Sequence, residues 1–212
     1  IISNDRCASP KTIKDSLFEK FDKDNDLYSP YVKRTIKNPS NGAEYPLTTI
    51  RKGFIKSDSH FTSVNFTKAT NLKEIGDEAF MDCRLAPDQF TSSNLDLSNT
   101  KLERIGNNAF YCCVGSFSPA ITNEISLPKT IKYLGDRCFG GEQQSRTLRV
   151  TAIRFAENDL TKIKQIHFGA EWMPRTAREN YIRLYVPNGT IDTYGSVENF
   201  NYHWASYPVE EY

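Results

Sequence analysis

The sequence has almost no excess of charge of either sign. Its 212 residues include 27 lysines and arginines against 26 aspartates and glutamates, for a formal net charge of +1. The two signs are interleaved along the chain, so no basic stripe is present of the kind that neutralises nucleic-acid phosphates. Long hydrophobic runs are missing as well, because no apolar stretch approaches the roughly 18 to 20 residues that span a bilayer. We therefore expect a folded globular chain with no nucleic-acid partner and no membrane span.

Cysteine and histidine are scarce. Five cysteines at irregular spacings are too few for a disulfide framework, and free cysteine is usually buried. We expect the cysteines to pack in the core, while a bridge between Cys7 and Cys112 stays open. The three histidines, His60, His167 and His203, lie in no nucleophile or metal-binding signature. The sequence thus predicts no catalytic residue, no metal site and no cofactor.

Two short motifs invite a functional reading that their residues do not support. Segment 22–33 has aspartates at alternate positions like a calcium loop, but Leu27 stands where the loop requires glycine. Lys33 stands where the loop requires a bidentate glutamate. Glycosylation sequons begin at Asn65 and Asn188, yet the first falls in a predicted strand, and in a bacterial protein neither has meaning. Neither motif predicts a site.

What the sequence does contain is an internal repeat. The stretch LKEIGDEAF at 72–80 returns as LERIGNNAF at 102–110 and, in a more diverged form, as IKYLGDRCF at 131–139. The glycines of the three copies are 30 and 29 residues apart: Gly76, Gly106 and Gly135. Self-similarity at such a period predicts a solenoid, whose stacked units bury an apolar set that no single unit could bury alone.

Each copy is interpreted as a strand, a turn and a short helix. Apolar residues alternate as in a short strand with one buried face, and a second apolar pair follows after the turn. The glycine is expected to let the chain reverse, with a positive φ open to it. The Asp or Asn that follows is expected to cap a short helix whose phenylalanine faces the core. The predicted caps are Asp77, Asn107 and Asp136, and the predicted core phenylalanines are Phe80, Phe110 and Phe139.

Downstream of the third copy the repeat becomes irregular. The stretches TAIRFAEN at 151–158 and IKQIHFGA at 163–170 keep strand-like apolar pairs but are interpreted as lacking the glycine and phenylalanine signature. The segment YIRLYVPNGTIDTYGS at 181–196 predicts a last strand followed by a Pro-Asn-Gly turn. An aromatic tail at 199–207 is expected to close the open end of the stack, because terminal repeats need a different outer face.

The first sixty residues stand apart from the repeat. A helix is predicted to begin near Ser9 and Pro10, with Leu17, Phe18 and Phe21 on one face, and to pack as a cap on the first repeat. Segment 47–55 is interpreted as a degenerate opening repeat. The expected organisation is one structural domain with three parts: an N-terminal helical cap or leader region (1–46), a solenoid (47–195) and a closing segment (196–212).

The repeated unit L-x-x-I-G-x-x-A-F-x-x-C, with its preceding strand and the step Leu127-Pro128, resembles the BspA-type leucine-rich repeat of bacterial and protist surface proteins. The closing stretch 184–196 resembles the terminal unit of the same proteins. The resemblance covers about 64–194 and implies an α/β leucine-rich repeat solenoid of short strands, turns and short helices. It implies a right-handed coil, with the N-terminal helical cap before it. The inserts at 84–93 and 114–122 depart from the pattern.

The resemblance implies a non-catalytic interaction module that is secreted or held at the cell surface and adheres to host or neighbouring-cell proteins. The missing initiator methionine is interpreted as the mark of a mature or trimmed form. Two alternatives stay open: a structural spacer in a larger surface protein, and a hydrolase or hydrolase accessory that uses His60 or His167 with a nearby acid.

Polar residues beside the inward strand pairs predict where a partner would bind. They are expected to form a side-by-side ladder on the strand face, running from polar and acidic to basic. The two inserts, with Phe90 and Phe117, predict a second edge for recognition. The candidate protein-binding residues of the ladder are Asn65, Asp96, Ser126, Arg154, His167 and Arg183.

Overall fold

The computed structural model describes residues 18–22, 27–32, 35–37, 41–54, 56, 66–82, 95–111, 124–140, 152–173, 182–200 and 207–212. The strands are β1 (Phe18–Asp22), β2 (Leu27–Val32), β3 (Thr35–Lys37), β4 (Glu44–Pro46), β5 (Thr49–Ile50), β6 (Glu74–Ile75), β7 (Leu95–Asp96), β8 (Arg104–Ile105), β9 (Glu124–Ser126), β10 (Tyr133–Leu134), β11 (Ala152–Arg154), β12 (His167–Phe168), β13 (Arg183–Val186) and β14 (Val209–Glu211). The helices are α1 (Leu160–Ile163) and α2 (Ile191–Gly195).

The repeats stack as a parallel β-solenoid of about four turns. Successive turns add one strand to each of two five-stranded parallel sheets. The first sheet has the order β12-β10-β8-β6-β5, and the second has the order β14-β13-β11-β9-β7. The predicted leucine-rich repeat solenoid is therefore confirmed, and the opening strand β5 lies in the segment interpreted as a degenerate repeat.

The short helix predicted after each glycine does not form; a hydrogen-bonded turn takes its place. One residue of this turn has left-handed backbone, with φ of 57° at Glu78, 54° at Asn108 and 51° at Arg137, which a right-handed helix cannot continue. Its amides bond to the next turn instead, as when the amide of Phe80 donates to the carbonyl of Ala109 at 2.8 Å. These hydrogen bonds join neighbouring turns along a third line, in addition to the two parallel sheets.

The glycine before this turn serves close approach rather than positive φ. None of the three repeat glycines is among the positive-φ residues of the described chain. A Cβ at Gly106 would instead lie less than 3.0 Å from the amide nitrogen and Oδ1 of Asp77 in the preceding turn. Any side chain here would push neighbouring turns apart, so the expected reason for the glycine was wrong.

The Asp or Asn after the glycine bonds to the next turn and does not cap a helix. The Oδ1 atom of Asp77 accepts from the amide of Asn107 at 2.9 Å, and that of Asn107 accepts from the amide of Asp136 at 3.0 Å. Asp136 continues the series to the amide of Ala170 at 2.7 Å. The left-handed residue that follows each of them prevents a helix, so there is no helix to cap. Their side chains bond to the next turn instead, and we name this series the axial ladder.

The core of three successive turns contains a stack of phenylalanines, one from each of these turns. The rings of Phe80 and Phe110 have centroids 5.0 Å apart and an interplanar angle of 1°, and Phe110 stacks on Phe139 at 5.6 Å. All three are fully buried. At the C-terminal end, the ring of Phe200 packs on Phe155 and on other aromatic side chains of the last turns. The tail thus covers the end of the core, as far as its described residues show.

The two irregular stretches downstream are the two halves of one turn. The first supplies β11 and the second supplies β12. Gly169 occupies the glycine position, since a Cβ there would lie less than 3.0 Å from the amide of Asp136, and Glu171 has the left-handed φ of 51°. The interpretation that this unit lacks the glycine was wrong. The longer spacing from Gly135 and the replacement of phenylalanine by Met173 hid the match.

The described part of the N-terminal region consists of strands. β1 pairs with β2 and β3 pairs with β4, both antiparallel. The predicted helix is therefore wrong at Phe18 and Phe21, where aromatic residues favour a strand and a partner strand is present. Within the calcium-like segment, Leu27–Val32 form β2, and residues 23–26 and 33 lie outside the described residues. The remainder of the predicted helix lies outside the described residues.

Cys138 is fully buried, as expected for a core cysteine. Burial raises the pKa of its thiol, whose Sγ lies 3.6 Å from the carbonyl oxygen of Trp172. The other four cysteines lie outside the described residues, so the open question of a Cys7–Cys112 bridge stays open.

Candidate interaction surface

The outer side of the second sheet carries a row of polar and aromatic side chains that we name the strand face. Strand pairing places Asp96 opposite Ser126 and Ser126 opposite Arg154. Arg154 lies opposite Tyr185, and Tyr185 lies opposite Glu210. The residues that flank these positions along the strands are mostly buried, so alternation turns the row outward. The predicted adjacency of Asp96, Ser126 and Arg154 is confirmed.

Arg183 lies on the same sheet, but it precedes Tyr185 by two residues along β13 and so lies outside the row. It pairs with Ala152, because the buried Leu184 lies opposite Ile153 in this register. Tyr185 therefore takes the place in the row that was predicted for Arg183. Alternation in the sequence turns both Arg183 and Tyr185 outward, since Ile182, Leu184 and Val186 are buried, and only the register of β13 on β11 decides which of them lies beside Arg154.

His167 is not part of the strand face. It lies in β12 of the first sheet, opposite Tyr133. The prediction placed it in the ladder because the stretch around it was taken for the opening strand of a unit, whereas it is the second strand of a turn that opens at β11. Asn65, the first residue of the predicted ladder, lies outside the described residues.

Arg154 is the centre of the strand face. Its Nε donates to Oε1 of Glu124 at 3.0 Å, and its guanidinium lies 4.6 Å from the ring centroid of Tyr185 and 4.5 Å from that of Tyr212. The hydrogen bond to Glu124 raises the pKa of Arg154. A cation held against aromatic rings and a carboxylate loses little freedom when a partner docks.

The other polar residues of the strand face are also held in place. Oδ1 of Asp96 accepts from the amide of Ser98 at 2.9 Å and from its hydroxyl at 2.6 Å. The hydroxyl of Ser126 donates to Oε1 of Glu124 at 3.0 Å. Arg183 forms an ion pair with Glu210. The face is therefore an ordered surface of mixed charge, on which Tyr212 is exposed and Tyr185 is partly exposed.

A second row crosses the first sheet, and we name it the stacked row. Oε1 of Glu74 lies 3.3 Å from Nε of Arg104, whose guanidinium lies 4.5 Å from the ring centroid of Tyr133. The ring of Tyr133 stacks on His167 at 4.7 Å and 14°. Within the described part of the chain, no carboxylate bonds or ion-pairs with His167, and His60 lies outside the described residues.

Metal-binding and membrane-spanning features are both missing from the described residues. There, no group of three or more histidine, cysteine, aspartate or glutamate side chains is arranged to hold a metal ion. Neither of the two helices given above has the length or apolarity to cross a bilayer.

The comparison with protein families agrees with this architecture. A model of the BspA type leucine-rich repeat region matches residues 47–171 in six copies, which is more than half of the chain. Neither the curated proteins nor the solved structures include a significant match. Repeat regions of this kind are typically non-catalytic and generally bind other proteins, and the proteins that carry them are usually found at the cell surface. The chain belongs to the BspA-type leucine-rich repeat family.

Proposed function

We propose that this chain is a non-catalytic module, secreted or held at the cell surface, that adheres to host or neighbouring-cell proteins through the strand face. The observation that carries the proposal is the cluster of Arg154 with Tyr185 and Tyr212. Arginine and tyrosine are the residue types that most often dominate binding energy at protein interfaces. Here they are held together on an open sheet before any partner arrives.

The chemistry proposed for the contact is burial of the tyrosine rings with charge pairing at the edge. Asp96 and Glu210 lie at the two ends of the row and Arg154 lies between them, so a partner meets acidic, then basic, then acidic groups along the sheet. Such an arrangement fixes orientation and association rate more than affinity. The inserts at 84–93 and 114–122 remain a predicted second edge and lie outside the described residues.

A structural spacer is the second candidate, and the ion pairs of the solenoid favour it. Lys132 pairs with Glu103 at 2.8 Å, and Arg137 pairs with Glu171 at 3.0 Å. Both pairs join neighbouring turns, so the charges are satisfied inside the chain without any ligand. A domain that only holds others apart needs this axial cohesion and no binding face.

Binding to a panel of purified extracellular-matrix and cell-surface proteins tests the proposal. Tyr185→Ala should weaken the binding of a captured protein at least about tenfold, as truncation of an interface anchor does. The double charge reversal Asp96→Lys with Arg154→Glu should weaken it further. Tyr45→Ala, the same change at an exposed tyrosine of β4, is the matched control and should bind like the parent chain.

Each other result of this experiment has a defined meaning. Equal binding by the Tyr185 and Tyr45 variants would show that the strand face is not the contact. A panel in which no protein binds would favour the spacer. Circular dichroism of each variant checks that the solenoid is intact, because Arg154→Glu also removes the pair with Glu124.

A further inference from the structure

The two sheets do not end at the same level at the C-terminal end of the solenoid. β11 and β12 belong to the same turn, yet the second sheet continues beyond β11 through β13 and β14. Among the described residues, the first sheet ends at β12. The segment that follows α2 borders the place where the next strand of the first sheet would lie.

A groove occupies this place. Its volume is about 430 Å³, within the range of ligand clefts, and it is lined on one side by 164–168 and on the other by 196–199. Lys164 and Glu198 bring opposite charges to its two sides, and both are exposed. The groove therefore has no net charge from these two residues and has room for a short stretch of chain.

The backbone carbonyls of the first sheet indicate that a hydrogen-bonded strand is missing from the groove. In each turn two carbonyls accept amides from the next strand. Those of Glu103 and Ile105 accept from Tyr133 at 3.0 Å and Gly135 at 2.9 Å, and those of Lys132 and Leu134 accept from His167 and Gly169. The equivalent pair in the last turn is Ile166 and Phe168.

Only one carbonyl of this last pair is satisfied within the described part of the chain. The Nδ2 atom of Asn199 donates to the Phe168 carbonyl at 3.1 Å and so imitates one amide of a further strand. No donor among the described residues reaches the Ile166 carbonyl, although Ile166 lines the groove. A strand amide in the groove would give the Ile166 carbonyl the kind of partner that the equivalent carbonyls of the earlier turns have.

The stacked row also ends at this groove. Arg104, Tyr133 and His167 follow one another at 4.5 and 4.7 Å, close to the spacing of neighbouring strands. One face of the His167 ring is covered by Tyr133, and the ring makes no second aromatic contact among the described residues. A strand in the groove would place one of its side chains against this open face.

From these observations we propose that the groove binds an extended segment of a partner protein, which adds to the first sheet as a strand parallel to β12. An amide of the segment donates to the Ile166 carbonyl, and an aromatic or arginine side chain stacks on His167. The recess favours a single strand over a second copy of this chain, because the projecting β13 and β14 keep a whole solenoid from reaching β12. This mode of recognition takes affinity from backbone hydrogen bonds and specificity from alternate side chains.

A phage-displayed library of random nonapeptides, selected on the intact chain, is the probe for this site. Enriched peptides should share one aromatic or arginine position within an alternating pattern. Their affinities, measured by fluorescence polarisation, should fall about threefold to tenfold with His167→Ala. A single N-methyl group on the peptide backbone should weaken binding about fivefold at one position, the amide that reaches the Ile166 carbonyl, because Asn199 already occupies the Phe168 carbonyl.

Two further variants separate this groove from other sites. Ser196→Trp places a large side chain at the groove and should abolish binding. Lys162→Ala, on the exposed side of α1, and Tyr185→Ala, on the strand face, should leave peptide binding unchanged. The proposal for the groove and the proposal for the strand face can therefore be contradicted independently of each other.

The proposal is overturned by any of three results. These are no enrichment of peptides over a surface without the protein, enriched peptides that tolerate N-methylation at every position, or binding that is equal in the His167 and Lys162 variants. A concentration-dependent dimer in sedimentation experiments that His167→Ala dissociates would assign the groove to a second copy instead. Circular dichroism and thermal unfolding of each variant ensure that losses come from the groove.

Discussion

The glycine of each turn acts through what lies beside it in the neighbouring turn. A Cβ at Gly76 would lie 2.6 Å from the amide nitrogen of Lys52, and Gly106 and Gly135 meet the preceding turn in the same way. The contact is with backbone, which cannot move aside as a flexible side chain could. The axial ladder of Asp77, Asn107 and Asp136 depends on this closeness, because each Oδ1 must reach an amide of the next turn.

Gly106→Ala should therefore destabilise the solenoid by about 3 kcal/mol, at the upper end of the usual cost of overpacking. Gly195→Ala is the control, since a Cβ there meets nothing within 4 Å and the residue lies in α2. It should be neutral or stabilising by up to about 1 kcal/mol, because alanine favours helix. Urea unfolding measures both, and equal losses in the two variants would contradict the close-approach explanation.

At the scale of elements, the closing unit is held together by a carboxylate from a distant strand. Oε1 of Glu211 in β14 accepts from the amides of Gly189, Thr190 and Ile191 at 3.0 to 3.1 Å. These are amides at the start of α2, whose N-cap Thr190 makes no side-chain cap bond. The sequence predicts the Pro-Asn-Gly turn and the strand before it, but a partner about twenty residues away has no local signature.

Glu211→Ala should leave the amides of Gly189 and Ile191 without an acceptor, while the amide of Thr190 keeps the carbonyl of Pro187 at 3.2 Å. The change should destabilise the chain by about 1 to 3 kcal/mol. Hydrogen exchange at 189–191 should accelerate more than exchange in β8 or β10. Glu198→Ala removes the same charge from an exposed glutamate with no hydrogen-bond or ion-pair partner among the described residues, and it should change thermal stability little. Slow exchange at 189–191 in the Glu211 variant would show that the carboxylate does not hold this turn.

At the scale of the whole molecule, stability passes from turn to turn, because each unit packs only on its neighbours. Phe110 lies between Phe80 and Phe139 and couples the two halves of the stack. Phe66 lies at the end of the ring series and packs edge-on against Phe80 at 5.9 Å. Loss of a central ring should separate the halves, while loss of a terminal ring should not.

Phe110→Ala should cost about 3 to 5 kcal/mol and split unfolding into two steps. Fluorescence of the buried Trp172 reports on the C-terminal half, whereas far-ultraviolet circular dichroism reports on the whole chain. The two signals should give different urea midpoints in this variant and the same midpoint in Phe66→Ala. Coincident transitions in Phe110→Ala would mean that the stack unfolds as a single unit.

Features that depend on residues close in sequence, or on a constant spacing, could be predicted, whereas features that depend on contacts between distant residues could not. The period of Gly76, Gly106 and Gly135 predicted the solenoid because stacking places equivalent residues side by side. The same period placed Asp96, Ser126 and Arg154 in one row. The assignment of strands to sheets in the irregular later turn was not predictable. The longer spacing between Gly135 and Gly169 made the repeat hard to recognise, and His167 was therefore predicted to lie in the second sheet and not in the first.

The sequence by itself determined the repeat, its inward residues and the family, because these depend on local alternation and on a constant spacing. Tertiary structure decided the rest. Register placed Tyr185, not Arg183, beside Arg154, and contact between turns made the glycine a point of close approach. It also ended the first sheet at β12 while the second sheet continues through β13 and β14, and it left a groove lined by Ile166 at that end, because only three-dimensional stacking fixes which edge ends first.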